Sequence, residues 1–177
     1  MSIEQLKQAL PDCAKDIKLN ISTILTEEGA PNLNLNQIYG VALASAFTTK
    51  NQAVIAALLS ETNNPLSDSE ILAAKSAAII MAMNNIYYRF THLINDKSYS
   101  SMPANLRMSV IGNPGIIKID FELYCLAVSA LNGCGKCVDA HAKVLTTSGM
   151  TPLAIQSAVR IASIINAVAL GIEISNN

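Results

Sequence analysis

The chain has 177 residues, 51% of them apolar and 14% charged, and its net charge is −1. That length suits a single domain over 1–177 with a sizeable core, and the near-neutral balance gives no electrostatic footprint for nucleic acid or an anionic membrane surface. The high apolar share points to a subunit interface, so an oligomer is expected.

Helical periodicity dominates and no alternating apolar–polar run is sustained, so the reading is all-α. Helices are predicted at 2–9, 11–27, 36–47, 50–62, 68–94, 103–111, 118–131, 134–148 and 152–173. The opening MSIEQLKQAL is amphipathic and lacks the cationic-then-apolar pattern of a signal peptide. The apolar runs at 77–83 and 166–172 are too short to span a bilayer. A cytosolic location and no membrane association are expected, and four cysteines in a reducing compartment favour metal or redox chemistry over a structural disulfide framework. Ser67 with Glu70 forms a capping-box pattern, and the NPG at 113–115 is a turn signal. Asn132-Gly133 can reverse the chain, while Gly149, Thr151 and Pro152 mark one helix end and the next start.

A faint internal repeat links residues 37–58, QIYGVALASAFTTKNQAVIAAL, with residues 122–143, ELYCLAVSALNGCGKCVDAHAK. Tyr39 falls on Tyr124 and Ala42 on Ala127. Farther along, Ser76-Ala77 falls on Ser157-Ala158 and Asn85 on Asn166. The offset drops from 85 to 81, as a longer first-copy loop, ETNNPLSD, would require. In this register Thr49, Gln52 and Ala56 stand where the second copy has Cys134, Cys137 and His141. A scaffold of this kind then does not need the cysteines for packing.

The stretch LNGCGKCVDAH (131–141) carries the chemistry. A Cys-x-x-Cys at a helix start lies where unpaired N–H groups and the helix dipole stabilise a thiolate. The spacing also lets the two sulfurs bond. His141 follows Cys137 by one helical turn and can exchange a proton with it. Glu122 sits in an apolar helix, where a carboxylate needs a partner. If the chain reverses at Asn132-Gly133, a rise of about 1.5 Å per residue brings Glu122 and His141 to similar heights. A Cys–Cys–His–Glu relay is the result.

Other readings of the pair are half a metal site or inert core cysteines. Zinc needs four ligands, and the chain has no second Cys-x-x-Cys and two histidines, so redox chemistry is favoured and no metal is expected. Cys13 and Cys125 read as small core residues. His92 reads as a core or interface polar group, and Arg89 as a structural stacking or pairing partner.

Four strings, MNNIYYRFTHL (83–93), MPANLRMSVIGNPG (102–115), DFELYCLAVSALNGCGKCVDAH (120–141) and IQSAVRIASIINAVA (155–169), resemble in order the alkyl hydroperoxide reductase D (AhpD) family of the carboxymuconolactone decarboxylase-like superfamily. The resemblance implies an AhpD-like all-α fold with a duplicated helical unit, in a homo-oligomer that is often a trimer. It implies an antioxidant thiol peroxidase that reduces organic peroxides and the partner peroxiredoxin AhpC. It further implies that no cofactor is tightly bound and that the electron donor is a dihydrolipoyl group on the acyltransferase of a 2-oxoacid dehydrogenase, recharged by lipoamide dehydrogenase and NADH. By position, Cys137 becomes the peroxide-reactive thiol and Cys134 supplies a proton and closes the disulfide. Glu122 and His141 form the proton relay. Lys136 departs from relatives that have histidine before the second cysteine. Two other classes stand beside this reading: a carboxymuconolactone-decarboxylase-like enzyme on the same scaffold, which needs no cysteine pair, and a non-catalytic helical oligomer.

Overall fold

The computed structural model describes residues 1–62 and 65–175. Among them are ten α-helices and no strand, so the all-α reading is correct. They are α1 (Ile3–Ala9), α2 (Lys15–Ile24), α3 (Leu35–Thr49), α4 (Gln52–Thr62), α5 (Asp68–Leu93), α6 (Ser98–Ser101), α7 (Ser109–Gly112), α8 (Lys118–Leu131), α9 (Gly135–Thr147) and α10 (Pro152–Ser175). Part of the ETNNPLSD loop, residues 63–64, lies outside the described residues.

Two predicted helices differ. The segment 11–27 opens with a 3-10 turn at Asp12–Ala14, and the α-helix stops at Ile24. There Thr26 Oγ1 donates to Thr23 O (2.8 Å) and accepts from Gly29 N, giving the backbone a turn in place of another helical round. Only the end of 103–111 is helical. Asn105 takes a left-handed φ of 53°, which interrupts any helix through it. The short α6 before it carried no periodic signal.

Capping boxes start α3 and α5. Asn34 and Gln37 exchange side-chain and backbone bonds, as do Ser67 and Glu70. The apolar residues of α3 and α8 are buried nearly all round, and α5 and α10 pack against both. Close approach of α3 to α8 depends on Gly40: a Cβ there would enter the ring and hydroxyl of Tyr124. α10 is long and apolar enough to cross a membrane by length and composition, a property hidden when its apolar runs are read singly. Here it packs against α2, α3 and α8 as a core helix.

The halves correspond. The packed pair α3–α5 has its counterpart in α8–α10, α3–α10 in α5–α8, α3–α4 in α8–α9, and α4–α10 in α5–α9. The element ends set a register different from the sequence match. Lys50 and Gly133 are the left-handed residues ending α3 and α8, with φ of 62° and 65°. Asn51 Oδ1 accepts from Val54 N as Cys134 Sγ accepts from Cys137 N. Ser67 and Thr151 precede α5 and α10. The offset is therefore 83 and then 84. The residues standing opposite Cys134, Cys137 and His141 are Asn51, Val54 and Leu58, all buried, not Thr49, Gln52 and Ala56.

Candidate active site at the start of α9

Gly133 ends α8 in a left-handed turn whose bonds run from Gly133 N to Ala130 O and from Cys134 N to Ser129 O. Asn132 stays right-handed, so the reversal rests on the glycine alone. This turn makes Cys134 the N-cap of α9, and its Sγ accepts from the Cys137 backbone N–H at 3.3 Å. Cys134 and Cys137 are joined as a disulfide, with Cα atoms 5.3 Å apart. Cys134 has no exposed surface, while Cys137 keeps 6%.

α8 and α9 pack side by side, which brings Glu122 Oε2 to 2.6 Å from His141 Nδ1. Glu122 is 3% exposed and His141 8%. The other ring nitrogen, Nε2, lies 3.3 Å from the Met81 thioether on α5. A thioether only accepts, so this contact is a hydrogen bond when Nε2 carries the hydrogen. At 2.6 Å a bare ring nitrogen and a bare carboxylate oxygen would repel, so one proton lies between Nδ1 and Oε2. Among the described residues no hydrogen bond joins His141 to either sulfur; His141 and Cys137 instead share a cavity.

That cavity, of about 200 Å³, lies between α5, α7 and α9. Met81, Met108, Ile111 and Ala140 give it apolar walls. Asn84, Cys137 and His141 form its polar side, and Lys136 stands at its rim with Tyr88. Lys136 Nζ is 3.5 Å from Thr91 Oγ1 and sits over the Tyr88 ring at 5.5 Å. Of the two sulfurs only that of Cys137 belongs to a lining residue. A larger groove of about 630 Å³ lies elsewhere on α5, between Phe47, Lys75, Ile79 and Arg89, and contains neither cysteine nor His141. Volume does not mark the chemistry here.

A polar chain braces the turn before the cysteines. Asn85 Nδ2 donates to Ser129 Oγ, Asn132 Nδ2 donates to Asn85 Oδ1, and Arg89 donates to the Asn132 carbonyl. Arg89 thus pairs structurally, as its sequence context suggested. Cys125 is buried, and burial, followed by the nearby Glu122 charge, pushes its thiol pKa well up. It is a core residue as expected. Cys13 is not: it is exposed on the 3-10 turn, where the short Asp12–Ala14 segment buries none of its side chains. His92 is exposed near the end of α5. Among the described residues, no group of three or more His, Cys, Asp or Glu side chains is placed to hold a metal ion.

Sequence reasoning did not reach Met81 or Asn84. The available signal was Asn84-Asn85, two carboxamides inside an otherwise apolar helical run, where an amide needs a partner or a purpose.

Residues 99–170, which include all of α8 and α9 and most of α10, match the carboxymuconolactone decarboxylase family. Similarity to curated proteins extends much farther. The chain is 53% identical over 173 residues to the alkyl hydroperoxide reductase AhpD of Rhodopseudomonas palustris and equally to that of Azorhizobium caulinodans, covering 98% of this chain and 94% of each relative. It is 51% identical over 167 residues to the AhpD of Coxiella burnetii, covering 94% of both. With near-complete coverage at this identity, and a helical scaffold that presents a dithiol beside a buried carboxylate–imidazole pair, the chain belongs to the AhpD family.

Proposed function

We propose that this chain is an antioxidant alkyl hydroperoxide reductase that works through a Cys134–Cys137 dithiol/disulfide cycle. The observation that carries the reading is the asymmetry of the pair. Cys137 lines a cavity shared with His141, while the fully buried Cys134 receives a helix N-terminal N–H bond. Those are the needs of a reacting sulfur and of a leaving sulfur.

In the reduced protein, the Cys137 thiolate attacks the outer oxygen of a hydroperoxide. An S–O bond forms and the O–O bond breaks. The departing alkoxide takes a proton from His141 Nε2, and the proton held between Nδ1 and Glu122 replaces it. The Met81 thioether is a weak acceptor and gives up that Nε2–H readily. The Cys134 thiol then attacks the sulfur of the Cys137 sulfenic acid, its proton passes to the departing hydroxyl, water leaves, and the disulfide closes. Reduction runs through the same opening. An external thiolate attacks Cys137, and Cys134 departs as a thiolate stabilised by the Cys137 N–H and the start of α9.

The proposed electron donor is the dihydrolipoyl group of a 2-oxoacid dehydrogenase acyltransferase, recharged by lipoamide dehydrogenase and NADH, with no cofactor held tightly. The proposed partner is the peroxiredoxin AhpC, in a cytosolic setting that keeps the donor reduced. A homo-oligomer, with three copies as the family suggests, is supported by a stripe on α5. Leu72, Ile79, Ile86 and Leu93 recur every seven residues along the helix and are each at least 64% exposed.

The test is peroxide consumption coupled to NADH through lipoamide dehydrogenase and lipoamide. Wild type turns over and Cys137→Ser does not. Mass spectrometry after mild peroxide treatment finds a Cys134–Cys137 bond. A folded wild type whose two thiols stay reduced would sink the reading.

A further inference from the structure

Asn84 sits on α5 between Met81 and Tyr88, one turn from each, and all three line the cavity that contains Cys137 and His141. It is 3% exposed, and its Oδ1 finds no hydrogen-bond partner among the described residues. Its own backbone carbonyl is 4.0 Å from the Cys137 sulfur, which places the residue directly beside the thiol. Its neighbour Asn85 is fully engaged in bracing the α8–α9 turn, so the two adjacent carboxamides have different duties. A buried amide oxygen left without a donor is destabilising. The site that tolerates it is one where a ligand can supply the donor.

We propose that this cavity is the alkyl hydroperoxide subsite and that Asn84 binds the substrate, its Oδ1 accepting the hydroperoxide O–H. The proposal rests on the peroxidase reading above and adds the group that recognises the substrate. The peroxide function is both a donor, through its terminal O–H, and an acceptor, through both oxygens. Asn84 Oδ1 meets the donor and His141 Nε2–H meets the inner oxygen. That arrangement turns the outer oxygen towards Cys137.

The bonds balance. The thiolate takes the outer oxygen with its hydrogen to become Cys137–SOH, and the inner oxygen leaves as alkoxide and is protonated from His141. The O–H held by Asn84 throughout is the one that ends on the sulfenic acid, so Asn84 also restrains that group until Cys134 attacks. Met108 and Ile111, half-buried on the far wall, receive the alkyl part. With about 30 Å³ per water as a measure, the 200 Å³ cavity has room for roughly half a dozen small groups. The substrate class it fits is a short or branched alkyl hydroperoxide; a long-chain lipid hydroperoxide would protrude past Lys136.

The experiment follows pre-reduced protein by stopped flow, measuring disulfide formation with tert-butyl hydroperoxide and, separately, disulfide opening by dihydrolipoamide. Asn84→Leu keeps the side-chain size and removes the acceptor. The expected result is a fall of about tenfold or more in the hydroperoxide step, the size of a lost buried hydrogen bond, and a markedly smaller change in disulfide opening, which presents no peroxide O–H to Asn84. Equal hydroperoxide rates in a folded Asn84→Leu and a reactive wild type overturn the subsite alone. A wild type inert to hydroperoxide yet competent in dithiol exchange overturns the peroxidase reading and the subsite with it. Should Asn84→Leu not fold, Ile111→Ala supplies the second measurement. It should raise the rate with cumene hydroperoxide relative to hydrogen peroxide, and an unchanged ratio overturns the placement of the alkyl group.

Discussion

Glu122 Oε2 and His141 Nδ1 stand 2.6 Å apart on facing helices, both buried and within hydrogen-bond distance. Glu122→Gln keeps the shape and still donates to Nδ1, holding the ring in place, but it has no proton to pass on. Peroxide turnover should fall about a hundredfold, within the range of lost general acid–base catalysis. The thermal midpoint should stay close to that of wild type. Steady-state kinetics and a melting curve on the same preparation check this; an unchanged rate removes Glu122 from the proton path.

The meeting of α3 and α8 gives a stability prediction. Gly40→Ala would put a methyl group into the Tyr124 ring, which is fully buried and has no space to retreat. Overpacking of this kind costs about 1–3 kcal/mol. Chemical denaturation should show a lower midpoint with an unchanged slope. A variant as stable as wild type would mean that the two helices are not held this close.

Asp120 gives a pH prediction. Burial first, and the Glu70 charge second, raise its pKa above the ordinary carboxylate range, although Gln37 Nε2 donates to it at 2.8 Å and pulls the other way. A carboxyl raised on folding adds stability below its unfolded pKa of about 3.9 and loses it as pH rises through the folded value. Asp120→Asn keeps an acceptor for Gln37 and never ionises. It should match wild type in acid and become the more stable protein as pH climbs past the raised value. Thermal melts across that window check the sign; a gap that shrinks with rising pH would refute it.

The α5 stripe predicts assembly. Ile79→Glu with Ile86→Glu places two carboxylates on the exposed seven-residue repeat. Sedimentation should show wild type as an oligomer and the double variant as a smaller species with its helical content intact. An unchanged sedimentation profile would place the interface elsewhere.

Much of this was legible in the residues. Helical spacing gave the fold class, because period 3.6 is a local property. The dithiol was visible because its members are three residues apart. Glu122 and His141 could be matched across a turn because helix rise sets height without knowledge of packing. Met81 and Asn84 lie on α5, more than fifty residues before Cys137, and only the crossing of α5 with α9 brings them in. The repeat was visible but its register was not: in Ala-rich helices a slip of two residues costs little similarity, and only burial and caps expose it. Asn105 hid the break in 103–111, since nothing near it in sequence announces a left-handed residue.

The two-fold likeness of the halves has a stoichiometric consequence. Asn51 caps α4 with the same bond that Cys134 makes on α9, and Val54 and Leu58 fill the places of Cys137 and His141 with hydrocarbon. Among the described residues the frame is built twice and carries the cysteine pair once, so the proposed cycle would exchange two electrons per chain. Tolerance to substitution should be equally lopsided. At Val54 an apolar side chain of similar volume should keep the fold and the activity, whereas at Cys137 exchanging sulfur for oxygen should end the proposed turnover.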